Sequence, residues 1–209
     1  MAAGTLITLE GIDGAGKSTL ARGMHAALAA RGIDVRLLRE PGGVVAAERI
    51  RELVHDPAQR IGPRAEALLY AAARAQLVEE LVRPLLAAGS FVLVDRFVDS
   101  SLVYQGAGRR LGVEAVRAIN AFATGGLAPD RTLLLELDPG VARARSSARG
   151  DVPDRIEREG DDFFARTAAA YRRLADAEPD RIRVLDASLS PAKLLAAALG
   201  AIEDLLGRG

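Results

Sequence analysis

The chain is expected to fold as an α/β protein, with a five-stranded parallel sheet flanked by helices on both faces. Three observations predict this. Short apolar, β-branched runs alternate with longer helical patterns from one end to the other. A glycine-rich turn, Gly11 to Ser18, joins the first such run to the first helical pattern. The 209 residues, 49% of them hydrophobic, suffice to bury a full core, and no repeat, low-complexity segment or linker divides them. A single domain over 1–209 is therefore expected.

The strands are expected at Thr5–Glu10, Val35–Arg39, Phe91–Asp95, Thr132–Leu137 and Ile182–Asp186, where β-branched and apolar residues run between turn signals. Between them, helical patterns cover about Lys17–Arg31, Val44–Val54, Ala65–Ala88, Val113–Ala123, Gly140–Ala148, Asp161–Ala177 and Pro191–Leu206. Pro84 lacks the N–H that a helix interior needs, so the longest of these should kink or break there. In open parallel sheets, ligands gather beyond the carboxyl ends of the strands. Asp13, Arg39, Asp95 and Arg96 all follow or end strands at that side.

Composition narrows the partners. The formal net charge is zero with no run of like charges, so neither nucleic acid nor a membrane surface is expected as a partner. The absence of cysteine excludes disulfides and thiolate metal sites. His25 and His55 are too far apart in sequence to suggest a zinc site. No apolar stretch reaches the length of a membrane span, and no charged region precedes an apolar leader, so a cytoplasmic location is expected.

Gly11-Ile12-Asp13-Gly14-Ala15-Gly16-Lys17-Ser18 matches G-x-x-x-x-G-K-[ST], the phosphate-binding P-loop, in the strand–turn–helix setting the motif requires. These residues and Thr19 are the candidates for holding a nucleoside triphosphate. The glycines let the main chain approach the ligand, loop N–H groups and the helix N-terminus face the phosphates, Lys17 reaches the β- and γ-phosphates, and the Ser18 hydroxyl can ligate Mg²⁺. Asp95 ends an apolar strand expected to lie beside the P-loop strand. It could hold Mg²⁺ with Ser18, or simply cap the following turn. Arg96 follows at once and suits bidentate phosphate recognition. Arg39 could face the same pocket, or form a surface ion pair with Glu40 or another acid.

Further candidates surround this centre. Tyr70 and Arg74 are four apart on a helix and share a face, where an aromatic and an arginine are otherwise ordinary core and surface residues. Ser100, Ser101, Tyr104 and Gln105 offer hydroxyl and amide partners for a base edge, although serines there could equally cap a helix. Asp13 sits inside a phosphate cradle, where a carboxylate needs a cationic partner such as Arg39 or Arg96, unless it is a solvent-facing turn residue. Arg143, Arg145, Arg149, Arg155 and Arg158 crowd one segment interrupted by Gly150 and Pro153. Such a segment could form a water-excluding flap or a solvated helix face.

In order along the chain, the P-loop, Arg39-Glu40-Pro41-Gly42-Gly43, Leu68 to Gln76, Asp95 to Gln105, and the arginine-rich stretch containing Asp154-Arg155-Ile156-Glu157 together resemble thymidylate kinases of the bacterial type over nearly the whole length. The resemblance implies the P-loop NTPase fold with a mobile lid, here 143–160. It also implies Mg²⁺ and ATP as donor, dTMP as acceptor, and a homodimer. It assigns Arg96 to the acceptor 5′-phosphate, Tyr70 to stacking on thymine, Arg74 to the thymine O4, and Ser101 and Gln105 to the vicinity of the base. Tyr104 falls near the sugar, where it would crowd a 2′-hydroxyl, and Asp13 on the acceptor side of the loop. The loop at Leu185 to Ser188 falls near the adenine. The family takes a catalytic arginine either from the P-loop or from the lid. Gly14 and Ala15 supply none, so Arg149 and Arg155 join Lys17 and Arg96 as catalytic candidates. Val44 stands where the family commonly has threonine, and the lid is longer than in compact members. Two other readings are a deoxynucleoside kinase using Glu40 as base and a regulatory P-loop ATPase; the guanine-reading N-K-x-D motif is absent.

Overall fold

The computed structural model describes residues 4–148 and 154–206. β1 (Thr5–Glu10), β2 (Val35–Arg39), β3 (Phe91–Asp95), β4 (Arg131–Glu136) and β5 (Ile182–Asp186) form one sheet in the order β2-β3-β1-β4-β5, parallel at every pairing. The period-2 alternation of each strand divides the core between two faces. Ile7, Leu9, Leu93 and Leu133 face α1 (Lys17–Ala30), α8 (Asp161–Ala177) and α9 (Pro191–Gly200); Leu6, Val92 and Val94 face Ala73, Leu77, Val82 and Phe97. The sheet is thus covered on both sides, as expected. No helix among the described residues is long and apolar enough to cross a membrane.

Strand order fixes where a ligand can enter. The chain leaves β1 over β3 to reach β2, and leaves β3 over β1 to reach β4. These departures in opposite directions open a crevice beyond the carboxyl ends of β1, β3 and β4.

One local outcome follows the sequence expectation and one differs from it. The pattern over 65–88 is interrupted next to Pro84, as expected, by a π-helical turn. α3 (Pro63–Leu77) begins with Pro63 in its first turn, passes through a π-helical turn at Val78–Val82 and continues as α4 (Arg83–Ala87). Pro84 cannot donate to the carbonyl one turn back, and the ladder slips just ahead of it. The segment after Asp95, read above only as a motif, is helical: α5 (Val98–Ser101) runs into a π-helical stretch at Leu102–Gly108.

A buried polar ladder anchors this segment. Arg181 donates to both oxygens of Asp99, at 2.7 and 3.0 Å, and to Thr132 Oγ1 at 2.7 Å, and Thr132 is paired with Thr8 at 2.8 Å. Asp99 is thereby tied to β1, β4 and the approach to β5. The turn carrying Ser100, Ser101, Tyr104 and Gln105 is held over the crevice.

Candidate active site

The P-loop follows β1 into α1. The first backbone bond of α1 runs from Leu20 N–H to Gly16 C=O, at 3.0 Å, so the N–H groups of Lys17, Ser18 and Thr19 precede the helical ladder. Such free donors, with the helix dipole behind them, make an anion site. Gly14 is left-handed (φ +84), and a Cβ there would lie 2.1 Å from the Ala142 carbonyl oxygen. The loop and α7 (Pro139–Ser147) therefore touch backbone to backbone.

Glycine loop and strand ends enclose a cavity of about 490 Å³. At one corner the Ser18 hydroxyl donates to Asp95 Oδ2 at 2.6 Å, so two oxygen ligands converge as the sequence suggested. The donor set is hard oxygen and fits Mg²⁺. Lys17 Nζ donates to the Ile12 carbonyl at 3.0 Å and lies 3.9 Å from Asp13. Burial, with Arg96 nearby, pulls its pKa down to about 8.

Arg96 is the hub of the second corner. It holds a left-handed backbone (φ +69), a conformation costing about 1 kcal/mol or more in a non-glycine residue. Its guanidinium pairs with Asp13, donates to the Gly11 carbonyl at 3.0 Å and to Ser100 Oγ at 3.1 Å, and lies 5.1 Å from the Tyr104 ring centroid. The partner that Asp13 needed is thus Arg96. Burial alone would raise the Asp13 carboxyl, but Arg96 and Lys17 override it and hold the group well below the usual carboxylate range. The Tyr104 hydroxyl also donates to Asp13, at 3.2 Å.

Beneath Arg96 lies Glu10, which sequence reading passed over as the last residue of a strand. It is fully buried and accepts from Phe97 N–H (2.8 Å), Ser100 Oγ (2.6 Å) and Tyr171 OH (2.8 Å). Burial, then the charge of Asp99, pushes its carboxyl up. Glu10 and Tyr171 fix the strained turn from β3 into α5.

Tyr70 and Arg74 lie on α3 and line the same cavity. The Tyr70 ring is partly exposed, and burial of its hydroxyl pushes the phenol up, so it stays protonated. Arg74 is only 2% exposed. It pairs with Glu40 at 2.5 Å and donates to Ser101 Oγ and the Phe97 carbonyl, each at 2.9 Å, and to Asn120 Oδ1. Among the described residues, its Nε is left without a hydrogen-bond partner. Glu40, which the sequence offered as a base, is the ion partner of Arg74, and burial pushes its carboxyl up to about 7 despite that partner. Arg39 lines the cavity but pairs with neither Glu40 nor Asp13. Glu48 takes its Nη2 with both oxygens, at 2.9 and 3.0 Å, while accepting the Gly43 N–H at 2.7 Å. Arg51 is a further lining residue, invisible in sequence because it carries no motif. It donates to the Pro41 carbonyl at 3.1 Å, and burial and Arg39 both press its pKa down.

Of the lid candidates, Arg149 lies outside the described residues. Arg155 is among them but does not line the cavity. Its Nε donates to the Val54 carbonyl at the end of α2 (Val45–His55), at 2.9 Å, and its Nη1 to Glu66 at 2.6 Å. Next to it, Asp154 meets His55 Nδ1 at 2.9 Å. Gln105 lines the cavity and donates to Glu66 at 2.9 Å.

One cavity therefore joins the glycine loop to a pocket walled by an aromatic ring, an arginine and an amide. A family model described as thymidylate kinase matches residues 9–197. A thymidylate kinase of Deinococcus radiodurans is 48% identical over 204 residues, covering 98% of each chain. Those of Rhizorhabdus wittichii and Bifidobacterium longum are 47% and 46% identical, covering 97% of this chain and 99% and 98% of theirs. A family match across nine-tenths of the sequence, with near-complete overlap at this identity, leaves one assignment: the chain belongs to the thymidylate kinase family.

Proposed function

We propose that the chain transfers the γ-phosphoryl group of Mg·ATP directly to dTMP, both nucleotides meeting in the 490 Å³ cavity. The family makes it an enzyme that phosphorylates dTMP in nucleotide biosynthesis. One observation carries the finer reading: the P-loop corner of Lys17, Ser18 and Asp95 and the pocket of Tyr70, Arg74 and Gln105 are walls of one space.

The acceptor phosphate has a second pKa of about 6 and is mostly dianionic at neutral pH. No general base is required, and catalysis reduces to aligning two anions and cancelling their repulsion. Residues Gly11 to Thr19 cradle the donor phosphates, with Lys17 the charge on the β- and γ-phosphates. Ser18 and Asp95 would hold Mg²⁺, and an ion held there would supply positive charge against the phosphates. Arg96, locked by Asp13 and the Gly11 carbonyl, takes the acceptor phosphate beside Arg39. Tyr70 stacks on the thymine, Arg74, Ser101 and Gln105 face its edge, and Ser100 and Tyr104 hold Arg96 and the sugar side. The segment 143–160 acts as the lid, and Arg149 and Arg155 supply its charge; for Arg155 this requires release from Glu66. A second cavity of about 610 Å³, lined by Pro139, Asp186 and Ser188, supports placing the adenine against that loop. The nearly bare Phe122 and the exposed Leu68, on the packed pair α3 and α6 (Val113–Thr124), support a homodimer; a cytoplasmic location belongs to the same proposal.

The test is ADP formation from Mg·ATP with dTMP, dUMP, dCMP, AMP, GMP and thymidine offered singly. A strong response to dTMP, weaker to dUMP and negligible to the others, is expected. A response to thymidine instead would establish a nucleoside kinase, and acceptor-independent hydrolysis a regulatory ATPase.

A further inference from the structure

Glu66 is fully buried at the start of α3, and the function proposed above gives it no part. Its Oε1 accepts from Gln105 Nε2 at 2.9 Å and from Arg109 Nε at 3.1 Å. Its Oε2 meets Arg155 Nη1 at 2.6 Å and Arg109 Nη2 at 3.1 Å. A carboxylate between two guanidinium groups only accepts hydrogen bonds. The Gln105 amide must therefore turn its NH₂ toward Glu66, whichever way the density of contacts elsewhere would leave it. Its carbonyl takes the other arm of the planar amide, and no described residue donates to it. Gln105 is a wall of the cavity, beside Ser101 and Arg74.

We propose that Glu66 is a positioning residue that sets the base selectivity of this cavity. By pinning the Gln105 amide, it presents a fixed acceptor to the base edge. A fixed acceptor pairs with a pyrimidine that carries N3–H, as thymine and uracil do. Against cytosine it meets a bare N3 lone pair. The same carboxylate holds Arg155, so the base-reading amide and the lid share one anchor. This inference rests on the reading that Gln105 lies beside the base.

The experiment is steady-state kinetics of Glu66→Gln in the full chain at saturating Mg·ATP, with dTMP, dUMP and dCMP as acceptors. The new amide can donate or accept, so Gln105 is free to flip. The ratio of kcat/KM for dTMP over dCMP is expected to fall at least about tenfold, chiefly through KM. Any loss caused by freeing Arg155 or loosening the fold strikes all acceptors alike and cancels in that ratio. Glu66→Asp, which keeps the charge but shortens the reach to Gln105, should lower the ratio as well and serves if the first variant does not fold. Gln105→Leu separates the two layers of the argument. A dTMP KM unchanged in Gln105→Leu would overturn the placement of Gln105 at the base. A raised KM there, with the dTMP/dCMP ratio preserved in folded Glu66 variants, would overturn the role of Glu66 alone.

Discussion

Raising the pH should loosen the donor nucleotide by discharging Lys17. The side chain is 7% exposed, and burial and Arg96 bring its pKa from 10.5 to about 8. That shift corresponds to about 3 kcal/mol of penalty on the ammonium form, which bound phosphates must offset. The sign follows directly. Below about pH 8 the free enzyme carries the cation and binds a triphosphate; above it, the neutral amine dominates, and affinity falls. Donor phosphates are almost fully ionised above about pH 7.5, so their own titration does not intrude on the limb near 8. Calorimetric titration with a non-hydrolysable Mg·ATP analogue, from pH 6.5 to 10, should give a flat Kd to about pH 7.5 and a roughly tenfold rise per unit beyond about 8. Asp13→Asn sharpens the test. Asp13, 3.9 Å away, supports the ammonium, whereas Arg96 opposes it. An opposite charge at this range is worth about 1–3 pH units, and Asp13 is shared with Arg96, so the lower figure applies. The limb should therefore move about one unit toward acid in the variant. A limb that stays in place or moves toward alkali would refute the electrostatic account.

Two further outcomes follow from the geometry. Tyr70→Ala should raise KM for dTMP about tenfold or more, the usual worth of base–aromatic stacking, with KM for ATP within about twofold; equal losses for both nucleotides in steady-state assays would count against stacking. Arg181→Ala leaves Asp99 buried without its bidentate partner and should cost about 3 kcal/mol in urea unfolding; a loss below about 1 kcal/mol would mean that the ladder under α5 is incidental.

The sheet was legible in the sequence because its strands are apolar runs between turn residues, and four of the five begin at the residue expected. The P-loop was legible because its residue types are dictated by phosphate chemistry. The helical segment at 98–108 was not. Val98 to Gly106 is buried on nearly every side, so no amphipathic period marks it, and Asp, Ser and β-branched residues are indifferent helix formers. Ion pairing was legible only in part. Arg39 finds Glu48, because α2 turns back over the Pro41 bend and brings the latter alongside. Glu40 finds Arg74 across the fold. Glu10 and Glu66 organise the site from beneath, yet in sequence each is a single acid without a motif. Their meaning comes from which chain segments the topology stacks above them, and spacing does not encode that.

The backbone contact between Gly14 and Ala142 bears on the history open to this enzyme. With no room for a Cβ at position 14, the residue cannot be exchanged for an arginine unless α7 first withdraws from the loop. An arginine at position 14 and this seat for α7 exclude each other sterically. A lineage that placed an arginine there would have to rebuild the helix in the same passage, and the single substitution would meet a barrier. Glycine at this position is, in this chain, held by a packing contact as much as by its backbone angle.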